Sequence, residues 1–164
     1  LGAAIRGAMK SGLPVASTMT FDTASRTMMG DTPQSAFDFV HGFDPGLIAF
    51  GANCGAGPSM LVDTLVGLCE AAHDDDVVIA KGNCGMPQMV DGTVQYSGTK
   101  EVMADYAKLA RDCGARIIGG CCGTTPDILA FVIEAMKNYV PGEVPRREKI
   151  EDILGPIKVP PAGG

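Results

Sequence analysis

Cys121 and Cys122 are adjacent in the stretch Gly119-Gly120-Cys121-Cys122-Gly123-Thr124-Thr125-Pro126. The stretch follows the apolar run Ala115-Arg116-Ile117-Ile118 and precedes a helix-like pattern from Pro126, so it reads as a strand's carboxyl end turning into a helix. That is where α/β proteins place their chemistry. Successive strand side chains point to opposite faces, so two adjacent cysteines serve one site only where the backbone leaves strand geometry, which the flanking glycines permit. Three readings compete: a strained vicinal disulfide, two small buried residues, and a pair of thiolate metal ligands. Phe50-Gly51-Ala52-Asn53-Cys54-Gly55 and Lys81-Gly82-Asn83-Cys84-Gly85 shift the balance toward metal, because each also follows an apolar run. Three successive strand-like runs thus end in Cys-Gly, and parallel neighbours would bring those ends together.

The elements that must position these cysteines alternate along the chain. Leu1 to Lys10 has apolar residues on one helical face and stops at Ser11-Gly12. A strand is expected over Leu13–Thr20, a polar loop through Arg26 and Gly30, and a helix from about Thr32-Pro33 to Val40. The second unit has a strand over Leu47–Phe50 and a helix over Pro58–Ala72, with Leu61, Leu65 and Leu68 at helical spacing. The third has a strand over Val77–Ala80, a long loop through Met86, Pro87 and Tyr96, and a helix over Lys100–Cys113. The fourth has a strand over Ala115–Ile118 and a helix over Pro126–Tyr139. Strand-helix alternation at this spacing predicts parallel βα units with right-handed crossovers. The Pro-rich remainder, 141–164, has one amphipathic piece, Lys149–Leu154, which reads as a tail packing on the body or on a neighbour; residues 1–140 form the domain proper.

Four βα units make an incomplete object, since a closed (β/α)8 barrel takes about 250 residues and an open sheet needs edge protection. The chain opens at Leu and with a helix that ought to follow a strand. We therefore expect the carboxyl half of a TIM barrel, completed by a missing segment, a second chain or a symmetry mate, with a homo-oligomer one way to achieve it.

Composition narrows the function. With 46% hydrophobic and 20% charged residues the chain is globular, and a net charge of -6 without a basic, aromatic-interleaved cluster disfavours nucleic acid. No apolar run approaches the roughly 20 residues that span a bilayer, and no secretory signal opens the chain. Six cysteines at strand ends and in helices, rather than in a disulfide framework, suit a reducing cytoplasm. Cys69 and Cys113 read as buried small hydrophobes, and His41 and His73 as helix-end residues on the side opposite the Cys-Gly ends.

Gly51-Ala52-Asn53-Cys54, Asn83-Cys84-Gly85-Met86-Pro87 and Gly119 to Pro126, in this order and spacing, resemble the homocysteine S-methyltransferase family. The resemblance runs from about Pro14 to Met136. It implies a zinc-dependent (β/α)8 barrel, with this chain supplying strands five to eight and with Cys54, Cys121 and Cys122 as zinc ligands. The Gly-Thr-Thr-Pro ending is more similar to methionine synthase and its bacterial relatives than to the animal betaine enzymes. Cys84 stands where the family usually has a small non-thiol residue, which opens the alternative of a fourth thiolate and a closed, structural site. The family's first-half motifs for holding the homocysteine amino group are absent from these residues.

The implied chemistry is methyl transfer to homocysteine, giving methionine. Zinc with three protein sulfurs keeps one position for the substrate thiol, which it deprotonates; the thiolate then attacks an activated methyl group. Asn53 and Asn83 are candidates for hydrogen bonds to the sulfurs or contacts to substrate, against a plain role as turn residues. Thr18, with Ser17 and Thr20, could line the same mouth. The donor reads as betaine or a related methylated compound, or a separate methyl-corrinoid protein. Two alternatives stay open: a non-catalytic zinc-binding assembly module, and a methyltransferase for another thiol.

Overall fold

The computed structural model describes residues 1–22 and 24–157. Its centre is a four-stranded parallel sheet of β1 (Ala16–Met19), β2 (Ala49–Cys54), β3 (Val78–Gly82) and β6 (Ile117–Gly120), in the order β1-β2-β3-β6. The order follows the chain without reversal, so every crossover steps the same way. Between the strands come α2 (Pro33–His41), α3 (Pro58–Ala71) and α4 (Lys100–Cys113), with α1 (Gly2–Met9) before and α5 (Pro126–Met136) after. The α/β class and the parallel pairing are as expected from the sequence.

Local signals explain where the helices begin and end. Thr32 caps α2 in a capping box with Ser35, and Pro33 sits in the first turn, where its missing N–H costs nothing. Thr99 accepts from the Val102 N–H at the start of α4, and Gly114, at φ 114°, closes its end. The helices cover one sheet face. Phe50, Ala52, Val78 and Ala80 join Leu61, Leu65, Met103 and Tyr106 in one core cluster. The alternate residues point the other way, where Ala16 of β1, Lys81 of β3 and Ile117 of β6 are exposed and Ala49, Gly51 and Ile79 are buried.

β2, β3 and β6 end two to four residues later than expected, because parallel ladder bonds carry Gly51–Cys54, Lys81–Gly82 and Gly119–Gly120 despite their small or polar side chains, whereas β1 ends at Met19, one residue short of the expected Thr20. β1 starts at Ala16 instead of Leu13, with Pro14 lying outside the ladder. The expected loop through Met86 and Tyr96 is instead an antiparallel hairpin of β4 (Pro87–Val90) and β5 (Thr93–Tyr96). Its turn is Asp91-Gly92, with φ 50° and 75°, the left-handed pair that suits a two-residue hairpin. α5 stops at Met136, three residues short of Tyr139, whose hydroxyl donates to Asp112 at 2.8 Å.

The tail folds back on the body. α6 (Arg147–Leu154) packs across α3 and α4 and buries Ile150 to 1% exposure. Asp112, buried on α4, also accepts from the Gly142 N–H at 2.7 Å and pairs with Lys149 at 3.7 Å. The end of the expected tail, 158–164, lies outside the described residues. Among the described residues no helix is long and apolar enough to cross a membrane.

Candidate metal centre

Three cysteine sulfurs meet at the carboxyl end of the sheet. One ligand atom each from Cys54, Cys121 and Cys122 lies within 4.8 Å of the others. Cys54 ends β2 with φ 57°, a left-handed conformation that breaks the strand's alternation at that residue. Cys121 and Cys122 follow β6, where the chain has left the strand, so adjacent side chains can reach one place. The sulfurs of Cys54 and Cys121 are 2.6 Å apart and those of Cys121 and Cys122 3.9 Å apart, all as free thiols.

Backbone bonds prolong the β3-β6 ladder under the site. The Cys121 N–H donates to Gly82 C=O at 2.7 Å, and the Cys84 N–H to Cys122 C=O at 2.8 Å. From below, the buried Tyr106 hydroxyl accepts from the Gly82 N–H at 2.9 Å and donates to Gly119 C=O at 3.4 Å. The Gly119–Pro126 motif then has a local explanation. Gly120 leaves room for the Thr124 side chain, which a Cβ would meet. Gly123, at φ 77°, lies under the Tyr96 ring, Thr125 caps α5 and Pro126 opens it.

Asn83 is a clip between the two cysteine loops. Its Nδ2 donates to Gly55 C=O at 3.0 Å and its Oδ1 accepts from the Cys122 N–H at 3.2 Å. It therefore touches the backbone that carries the sulfurs. Asn53 does reach a sulfur: its Nδ2 lies 3.2 Å from Cys54 Sγ and 3.3 Å from Thr20 Oγ1. Thr18 lies half-buried on β1, opposite Gly51 of β2. Cys84 stands apart from the three sulfurs, 1% exposed within the hydrophobic core, and burial pushes its thiol up.

Tyr96 was not singled out from the sequence. The hairpin swings it over the cysteines, where its phenol hydrogen-bonds Cys122. That bond holds the Cys122 thiol below its ordinary value, with help from Cys121 and Cys54. Burial, then the hydrogen bond with Cys54, pushes Cys121 the other way, to about 11. The Asp91-Gly92 turn was the available signal, since it predicts a hairpin ending at Tyr96.

The donor set suits a soft or borderline cation. A tetrahedral zinc site with Zn–S bonds of about 2.3 Å spaces its sulfurs about 3.8 Å apart. Cys121 and Cys122 already have that spacing, and Cys54 and Cys121 need to part by about one ångström.

The family model for homocysteine S-methyltransferase matches residues 2–136. The chain belongs to the homocysteine S-methyltransferase family. The match covers all four parallel strands and the five helices from α1 to α5. Family membership supports methyl transfer to homocysteine as the general reaction, with homocysteine as the accepting substrate. The family normally binds zinc, and the Cys54, Cys121 and Cys122 cluster could hold a metal.

Proposed function

We propose that this chain forms strands five to eight of a (β/α)8 homocysteine S-methyltransferase barrel in the cytoplasm, with zinc on Cys54, Cys121 and Cys122. The observation that carries the reading is the convergence of three thiols from β2 and the β6 turn at the carboxyl end of a parallel sheet. The uninterrupted strand order and one-sided helix layer support a barrel segment, because a doubly wound sheet reverses its order and carries helices on both faces. A barrel needs four more strands, so an amino-terminal half is part of the proposal.

Zinc, when bound, would lower the pKa of a coordinated homocysteine thiol and present it as the nucleophile for methyl transfer. The protein's own residues set the conditions. A metal held by these three cysteines would keep a coordination position for substrate, because Cys84 is buried in the core instead of facing the cluster. Three anionic sulfurs would keep such a centre electron-rich. Asn53 orients Cys54 through its hydrogen bond, Tyr96 does the same for Cys122, and Asn83 holds the two loops in register. Thr18 is proposed to contact substrate in the completed barrel.

Zinc-edge X-ray absorption with and without L-homocysteine tests the centre. Three sulfurs rising to four is the expected result; four beforehand with no response would indicate a closed structural site. The complete barrel is then supplied with betaine or a methylated corrinoid protein, and methionine formation with one identifies the donor.

A further inference from the structure

The opposite end of the sheet carries a second convergence of ligand-type side chains. His41 is the last residue of α2, His73 follows α3, and Asp76 comes three residues later, before β3. One ligand atom from each lies within 4.8 Å of the others. His41 Nε2 is 2.9 Å from Asp76 Oδ2, and the two imidazoles stack at 4.3 Å and 8°.

This grouping is built by the fold. The turn from His73 to Asp76 is closed twice: the Asp76 N–H donates to His73 C=O at 3.0 Å, and the His73 N–H donates to Asp76 Oδ2 at 2.7 Å. His41 is set from its other side by Phe37, 5.4 Å away between rings, which packs edge-on against Phe50 in the core. Two separate αβ connections are thereby fixed against each other.

The surroundings favour a cation. Asp74, Asp75 and Asp76 are consecutive, and among the described residues no ion pair joins any of them to a Lys or Arg. α2 and α3 both direct their carboxyl ends here, where unpaired carbonyls carry partial negative charge. A cavity of about 170 Å³ opens alongside, lined by His41, Asp75 and Asp76 with Leu47 and Val77, and it has room for the water ligands of an ion held by three protein groups.

We propose that His41, His73 and Asp76 form a second divalent-metal site, of the zinc class, at the end of the sheet opposite the cysteines. Two imidazoles and one carboxylate suit borderline cations, whereas the three thiols select softer ones. A metal lies in the plane of each imidazole it binds, and two parallel rings cannot both offer that geometry. Binding therefore unstacks them, with the exposed His73 ring turning while Asp76 stays on its backbone donor. The site would clamp the α2-β2 connection to the α3-β3 connection and is independent of methyl transfer.

Zinc is titrated into the complete protein after its cysteine centre has been filled with one equivalent, with calorimetry and imidazole NMR as readouts. His41 and His73 are the two histidines of this sequence, and their imidazole signals are assigned by their loss in His41→Ala and His73→Ala. A second equivalent should bind and shift both imidazoles together. His73→Ala and Asp76→Asn should each weaken it about tenfold or more, a loss of about 1.4 kcal/mol per tenfold, without altering the first equivalent. His73 and Asp76 are solvent-accessible, and Asp74→Asn serves as a charge control that keeps all three ligands. No second equivalent up to millimolar zinc, or one that is indifferent to His73→Ala, overturns the proposal.

Discussion

Replacing Asn83 with Ala tests whether the cysteine loops are held by design of the surrounding backbone or only by the metal. Asn83 is 4% exposed and spends its side chain on two backbone partners, Gly55 C=O and the Cys122 N–H. A hydrogen bond of this kind contributes about 0.5–1.5 kcal/mol net, so losing both should cost about 1–3 kcal/mol of folding free energy. The effect on zinc is separate. If the clip preorganises the sulfurs, affinity should fall by about 10–100-fold, the range found when groups supporting metal ligands are removed. Asn83→Asp should be worse than Ala, since it places an oxygen against Gly55 C=O and a charge beside three thiolates. Urea unfolding of the reduced, metal-free protein measures the first quantity, and competition against a chromophoric chelator measures the second. Asn83→Ala with unchanged unfolding free energy and a zinc affinity within a few-fold of the parent would refute the reasoning.

Tyr96→Phe should raise the pH midpoint for alkylation of Cys122 in the metal-free protein, because the phenol hydrogen bond that favours the thiolate is gone; site-resolved mass spectrometry reads the shift. Stability should decline at alkaline pH. Burial raises Cys69 to about 11, Cys113 to about 12 and Tyr139 to about 12, Asp112 adding to the last two. Groups raised in the folded state deprotonate first in the unfolded chain, so their contribution is whole below about pH 9 and is lost as pH rises toward 12. Thermal unfolding midpoints measured from pH 8 to 11 should therefore fall, and a flat profile would contradict the burial of these groups.

β2, β3 and β6 were legible because each contains an apolar run, whereas β1 holds Ser17 and Thr18 and was marked by the apolar residues Leu13 and Val15 just before it. α4 was legible to the residue, since Thr99 and Gly114 mark its ends and its amphipathic face lies between them. The hairpin was missed for a physical reason. Most of its side chains are exposed, from Pro87 through Gln95, so no alternation of buried and polar residues announces it. Only the Asp91-Gly92 turn did. The meeting of Cys54 with Cys121 and Cys122 could be anticipated from strand ends, but the work of Asn83 could not. A side chain that bonds the backbone of two other loops leaves no periodic trace. His41 and His73 read as ordinary helix ends, because their stacking depends on how two αβ connections lie against each other.

The place of β3 between the two cysteine-bearing strands has a consequence for how the protein matures. Cys54 and Cys121 are separated by 67 residues and never become sheet neighbours; β3 has to be seated between β2 and β6 before their turns face each other. Cys121 and Cys122 are adjacent and need no loop closure to meet. Bringing Cys54 to them does, over a long segment whose closure entropy favours assembly of the sheet before completion of the site. Zinc would then act as a lock fitted to a nearly finished molecule, and chains that stall before β3 docks would present Cys121 and Cys122 to oxidants without Cys54 beside them.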